Sequence, residues 1–259
     1  MANQSELNPY TPKNPPVQEV VSYNGANFHT SFWNVPEGVV RKGRVIFNHG
    51  FSEYDETYYW VFDAISAGGY EVFIFDQRGA GHTDPGSTRG YTNEHYVFDD
   101  LEFFMERNMK EVGEETKLFM GGHSMGGGIA LNYGIHGKHR ERLSGIYVTG
   151  PLVKIHPDSL PTGLVIGLAK ITAKIFPRMK MNTDLNIEYI TSNKDYQKFI
   201  LNDPLQFPPV GTLRQLQDML ARGENLLKPA VAKKFDTVPL LIIHGTEDKV
   251  CSIYYSLSP

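Results

Sequence analysis

At 259 residues and 41% hydrophobic content, the chain is long enough to bury a sizeable core and too apolar to be disordered. Its formal net charge of -4, with no basic block or stripe, argues against a nucleic-acid partner. Cys251 is the only cysteine, so no internal disulfide is possible and a reducing, cytoplasmic setting is expected.

The polar, Pro-rich start "MANQSELNPYTPKNPP" lacks the apolar core of a signal peptide, and residues 1–16 read as a flexible leader. "VQEVVSY" and "NFHTSFW" have β-type composition, and Asn24-Gly25 between them signals a hairpin turn. Five short apolar runs follow: "RVIFNHG" (44–50), "EVFIFD" (71–76), "KLFMGG" (117–122), "GIYVTG" (145–150) and "VPLLIIHG" (238–245). Such runs suit strands of a parallel sheet, buried on both faces. Residues 57–68 and 96–109 carry apolar positions at helical spacing between them. Strand alternating with helix predicts an α/β, mostly parallel, doubly wound sheet, with ligands at the carboxyl ends of its strands.

Residues 151–237 break the rhythm and contain no convincing strand. They read as a helical cap inserted into a core formed by residues 17–150 and 238–259. Within the cap, "TGLVIGLAKITAKIFPRMK" has an apolar stripe at Leu164, Leu168, Ile171 and Ile175 opposite Lys170 and Lys174, and ends at Pro177. Residues 213–227 predict a second helix.

Gly122-His123-Ser124-Met125-Gly126 fits G-x-S-x-G. The pattern is weak alone, but it follows a candidate strand and opens a candidate helix. A sharp turn there lifts a nucleophilic serine above the sheet. An oxyanion hole then needs the amide after the serine, Met125, and one from an earlier strand-end loop. "NHGFSE" offers Phe51. His49 in that loop reads as structural. The order serine, acid, histidine points to Asp248, just past a buried strand, as the acid.

With those elements in order, the chain resembles an α/β-hydrolase. It is most similar to the monoacylglycerol lipases, particularly the fungal ones, through "NHGFSEY", "FDQRGAGHTDPG", "GGHSMGGGIALNY" and "HGTEDKV", over about residues 18–250. The resemblance implies a serine esterase that cleaves monoglycerides, a lipid ester substrate, to fatty acid and glycerol, with Ser124 as nucleophile, Phe51 and Met125 as oxyanion donors and Asp248 as acid. It implies no metal or organic cofactor, and it makes Asp76 and Arg78 organisers of loops. The cap stripe at Leu164, Leu168 and Ile171 is expected to border the acyl tunnel and to dip into a membrane or lipid-droplet surface.

The family's histidine follows the acid, yet all nine histidines here precede Asp248. His82, His156 and His123 are the candidate substitutes. The leading expectation is a chain truncated at its C-terminus and inactive as written. A non-catalytic lipid binder, or another esterase, lysophospholipase or peptidase on the same fold, stays open.

Overall fold

The computed structural model describes residues 8–83, 86–159, 172–236 and 238–256. A seven-stranded sheet runs in the order β1-β2-β4-β3-β5-β6-β9. β1 (Val17–Tyr23) and β2 (Ala26–Trp33) form the expected hairpin, closed by Asn24 and Gly25, both at positive φ. Positive φ at both central residues matches the twist of the flanking strands. β2 runs antiparallel to β4 (Tyr70–Phe75). The remaining ladders, linking β4, β3 (Gly43–Asn48), β5 (Leu118–His123), β6 (Leu143–Thr149) and β9 (Leu240–Ile243), are parallel. The α/β reading therefore holds.

Side-chain alternation divides the interior into two cores. Ile46, Phe73 and Phe75 face α2 (Glu94–Val112) and α3 (Met125–His136), meeting Leu101, Phe104 and Ile129. Val45, Phe47, Val72 and Ile74 face α1 (Tyr59–Ala67) around Phe62. α2 begins where the Asn93 side chain accepts the Tyr96 amide and ends at Gly113, φ 71°, satisfying one free donor and supplying a left-handed stop.

Three expectations change. Residues 8–14 of the supposed leader are tied down: the Asp63 carboxylate on α1 accepts the Tyr10 hydroxyl and the Lys13 and Asn14 amides. The interval between β6 and β9 is not wholly helical. Beside α4 (Lys194–Asn202) and α5 (Leu213–Leu226) it holds a two-stranded antiparallel ribbon of β7 (Lys180–Asn182) and β8 (Val210–Thr212). Finally, β9 is not buried on both faces: among the described residues it pairs only with β6, and Leu241 and Ile243 stay 57% and 52% exposed. No described element covers that end of the sheet on the α1 side. The cap stripe at Leu164, Leu168 and Ile171 lies outside the described residues. Residues 172–175 are helical and stop before Pro177.

Candidate active site

Ser124 sits between β5 and α3 at φ 50°, ψ -116°, a left-handed backbone that a non-glycine residue rarely adopts. Three bonds hold it: its amide donates to Thr149 O at 3.0 Å, and its carbonyl accepts the Gly128 and Leu152 amides at 3.1 and 2.9 Å. The flanking glycines are steric requirements. A Cβ on Gly122 would lie 2.3 Å from Gly126 O, and one on Gly126 would lie 2.0 Å from Asn48 O.

That second contact shows how tightly α3 is pressed against the end of β3, where the 49–53 loop begins. A Cβ on Gly50 would lie 3.3 Å from Ser124 Cβ, so the loop passes directly over the serine. Among the described residues, neither the Phe51 nor the Met125 amide meets a hydrogen-bond acceptor, and the Met125 amide stands at the N-terminus of α3. Amides in that state suit an anion. The Glu53 carboxylate accepts the Gly50 amide at 2.8 Å and the Tyr58 hydroxyl.

Asp248 follows β9 in a turn closed by its amide on Gly245 O. Its Oδ1 accepts the Val250 and Cys251 amides, each at 2.8 Å, and its Oδ2 lies 3.1 Å from His244 Nε2. The same oxygen would lie 3.2 Å from a Cβ on Gly150, at the end of β6. The carboxylate is thus held at the carboxyl edge of the sheet that also carries Ser124. Cys251 Sγ is 3.8 Å from Ser124 Oγ. Burial, then the nearby Asp248 charge, pushes this thiol up to about 12, so it stays protonated at neutral pH.

Five of the nine histidines, the candidate substitutes among them, make contacts away from the Ser124 hydroxyl. His49 is buried: its Nδ1 meets Gly50 O at 2.8 Å, its Nε2 accepts the Gln77 amide at 2.8 Å, and burial lowers its pKa. A neutral ring bonded at both nitrogens is a loop brace, as its strand-end position suggested. His123 Nδ1 contacts Thr149 Oγ1 at 2.8 Å, His82 Nε2 stands 3.7 Å from Glu56 Oε1, and His156 Nδ1 accepts the Asp158 amide. His244 Nε2 also lies 3.1 Å from Cys251 O, so its proton is directed to two oxygens. Among the described residues, the Cys251 thiol faces Ser124 Oγ and no histidine meets it.

Ser124, Phe51 and Asp248 open on one mostly apolar cavity of about 1760 Å³, with Leu213, Leu216, Met219 and Ile200 from the interval between β6 and β9 among its walls. Sequence reasoning missed a second polar cluster. His29 Nε2 lies 3.5 Å from Asp55 Oδ2, and Asp76 accepts the Asp55 and His82 amides. Burial and the Asp55 charge push Asp76 well above the carboxylate range. The cluster joins β2, the 54–58 turn and the end of β4. No local sequence signal links His29 to Asp55.

The family described as serine aminopeptidase, S33 (Hydrolase_4) matches residues 40–256. A monoglyceride lipase of Saccharomyces cerevisiae is 41% identical over 244 residues, covering 91% of this chain and 77% of that protein. A putative monoglyceride lipase of Schizosaccharomyces pombe is 37% identical over 235 residues, covering 88% of this chain and 59% of that one. The crystal structure of a soluble variant of the Saccharomyces cerevisiae monoglyceride lipase with a substrate analogue matches at TM-score 0.90 and 40% identity, over 96% of this chain and 82% of that one. A Paleococcus ferrophilus monoacylglycerol lipase, at TM-score 0.64 and 20% identity over 84% of this chain and 89% of that one, shares the fold.

Proposed function

The chain belongs to the serine aminopeptidase S33 family of α/β-hydrolases, and we propose that it is a serine ester hydrolase of the monoacylglycerol lipase type, cleaving monoglycerides to fatty acid and glycerol. The observation that carries this reading is the left-handed Ser124 opening on a large, mostly apolar cavity. A cavity of that lining takes an acyl chain by burying its methylenes, at about 0.8 kcal/mol each.

In this reading the Ser124 hydroxyl attacks the ester carbonyl, and the Phe51 and Met125 amides receive the developing oxyanion. Asp248 orients and stabilises the histidine that takes and returns the proton. Two backbone amides fix one Asp248 oxygen, and the other lies 3.1 Å from His244 Nε2, on the Gly150 side of the carboxylate. The proton acceptor is the one role that no described contact at Ser124 fills.

The cap surface supports docking on lipid. Ile175 and Phe176 are 66% and 59% exposed, beside exposed Lys174, Arg178 and Lys180. Apolar side chains flanked by cations suit an anionic interface. No helix among the described residues is long and apolar enough to cross a membrane. The test of the proposal is hydrolysis of monooleoylglycerol once a histidine is supplied opposite Asp248. Lipid binding with no Ser124-dependent turnover under that condition would replace the esterase with a lipid-binding module.

A further inference from the structure

Ser52, directly after the proposed oxyanion donor Phe51, adopts φ 60° although it is not glycine. Such a conformation persists only where the surroundings over-determine it. Here they do. Ser52 Oγ donates to Gln206 O at 2.6 Å and accepts from Arg89 Nη2 at 2.6 Å. The same guanidinium nitrogen donates to Gln206 O at 2.8 Å, and Nη1 donates to Pro204 O at 3.1 Å. All of these acceptors are neutral, and among the described residues no carboxylate meets the Arg89 fork. An arginine used this way adds no ion pair; its planar fork fixes direction.

The segment it grips belongs to the cap and is itself fastened to the core. Gln206 Oε1 accepts the Thr57 hydroxyl at 3.2 Å, and Gln206 Nε2 donates to Asp203 Oδ2 at 2.9 Å, an oxygen that also accepts the Tyr54 hydroxyl at 2.8 Å. On the far side of the loop the Phe51 ring packs on the cap residue Gly211, where a Cβ would lie 2.8 Å from the ring.

We propose that Ser52 and Arg89 are positioning residues, which clamp the loop to cap residues 204–206 so that the cap sets the aim of the Phe51 amide. The inference rests on the oxyanion reading of Phe51 and Met125 given above. It makes cap placement a determinant of transition-state stabilisation as well as of acyl binding.

The test needs no turnover, because a fatty-acid carboxylate presents its oxygen to the same amides. Laurate and 1-dodecanol are titrated against the 259-residue chain by displacement of a fluorescent fatty-acyl probe. The parent should prefer laurate. Ser52→Ala and Arg89→Met should weaken laurate about tenfold while changing dodecanol less than about twofold, since amide bonds to an anion are the strong, direction-dependent ones. Ser52→Gly, which accepts φ 60° without strain and so protects the fold, should show the same loss. Arg89→Lys keeps the charge without the fork and should resemble Arg89→Met.

An unchanged laurate-to-dodecanol ratio in Ser52→Ala and Ser52→Gly overturns the clamp. So does a proportional weakening of both ligands, which is the mark of a merely structural role. A loss confined to Arg89→Met and restored by Arg89→Lys reduces the effect to charge and also overturns it. A parent with no preference for laurate removes the oxyanion reading itself, and the clamp with it.

Discussion

Supplying a proton acceptor to Ser124 should raise turnover of this polypeptide by orders of magnitude. The serine hydroxyl is a weak nucleophile until a base relieves it of its proton. Its neighbour, the Cys251 thiol at 3.8 Å, is pushed up to about 12 by burial and the Asp248 charge. That thiol stays protonated at pH 8, so cysteine is no substitute base. Asp248 is committed through both oxygens, to the Val250 and Cys251 amides and to His244. Losing the histidine of a serine triad costs on the order of 10⁶ in kcat, and an oxyanion hole with substrate binding leaves about 10³–10⁴ over water. Residues 1–259 alone should therefore hydrolyse p-nitrophenyl laurate at trace rates and label slowly with a fluorophosphonate. Joining a C-terminal segment that places a histidine opposite Asp248 should recover both reactions. Added imidazole should recover part of the rate, and Ser124→Ala should abolish every gain. Vigorous hydrolysis by the unextended chain, lost in Ser124→Ala, would refute the reasoning and show that a base acts on Ser124 from among these residues.

Gly126→Ala should fail to fold, because its Cβ would meet the Asn48 carbonyl oxygen at 2.0 Å; a native circular dichroism spectrum with a cooperative melt would contradict this. Ile175→Ser with Phe176→Ser should weaken partition onto anionic liposomes at least about tenfold, at roughly 1.5–3 kcal/mol for each fully buried large side chain, and unchanged co-sedimentation removes the membrane role. The exposed Leu241 and Ile243 lie on an edge strand, so the 259-residue polypeptide should self-associate and Leu241→Lys should suppress it; a monodisperse wild-type monomer in light scattering would count against that. His82 is raised chiefly by the Glu56 carboxylate 3.7 Å away, against a lowering by burial, with the charges of Asp55 and Asp203 adding to the rise. Its folded pKa thus exceeds its unfolded value of about 6.5, so its contribution is fully present below that pH and is lost as pH rises through the folded pKa. Urea midpoints at pH 6 and 8 should differ less in His82→Gln than in wild type.

The strands were legible because their chemistry is local. β3 is buried at every position, so its apolar run is nearly continuous, and the expected 44–50 falls within two residues of Gly43–Asn48. The hairpin turn could be read from Asn24-Gly25, since few other pairs tolerate two successive positive φ values. β7 and β8 escaped because three residues are too few to show a period; pairing with each other, about thirty residues apart, makes them strands. The run at 238–245 read as a buried strand, yet burial of Leu241 and Ile243 depends on what lies beyond β9 in the sheet.

The site divides along the same line. Ser124 could be found because its geometry demands glycines within two residues on either side, and a steric demand of that range leaves a mark in the sequence. The residues that hold Phe51 left none. Ser52 and Gln206 are 154 positions apart and Arg89 and Gln206 are 117 apart, and the atom they share is a main-chain carbonyl oxygen. Any residue type at position 206 could present that oxygen, so no side-chain pattern encodes the contact. What selects it is the path of the cap, which becomes visible only when the chain is folded.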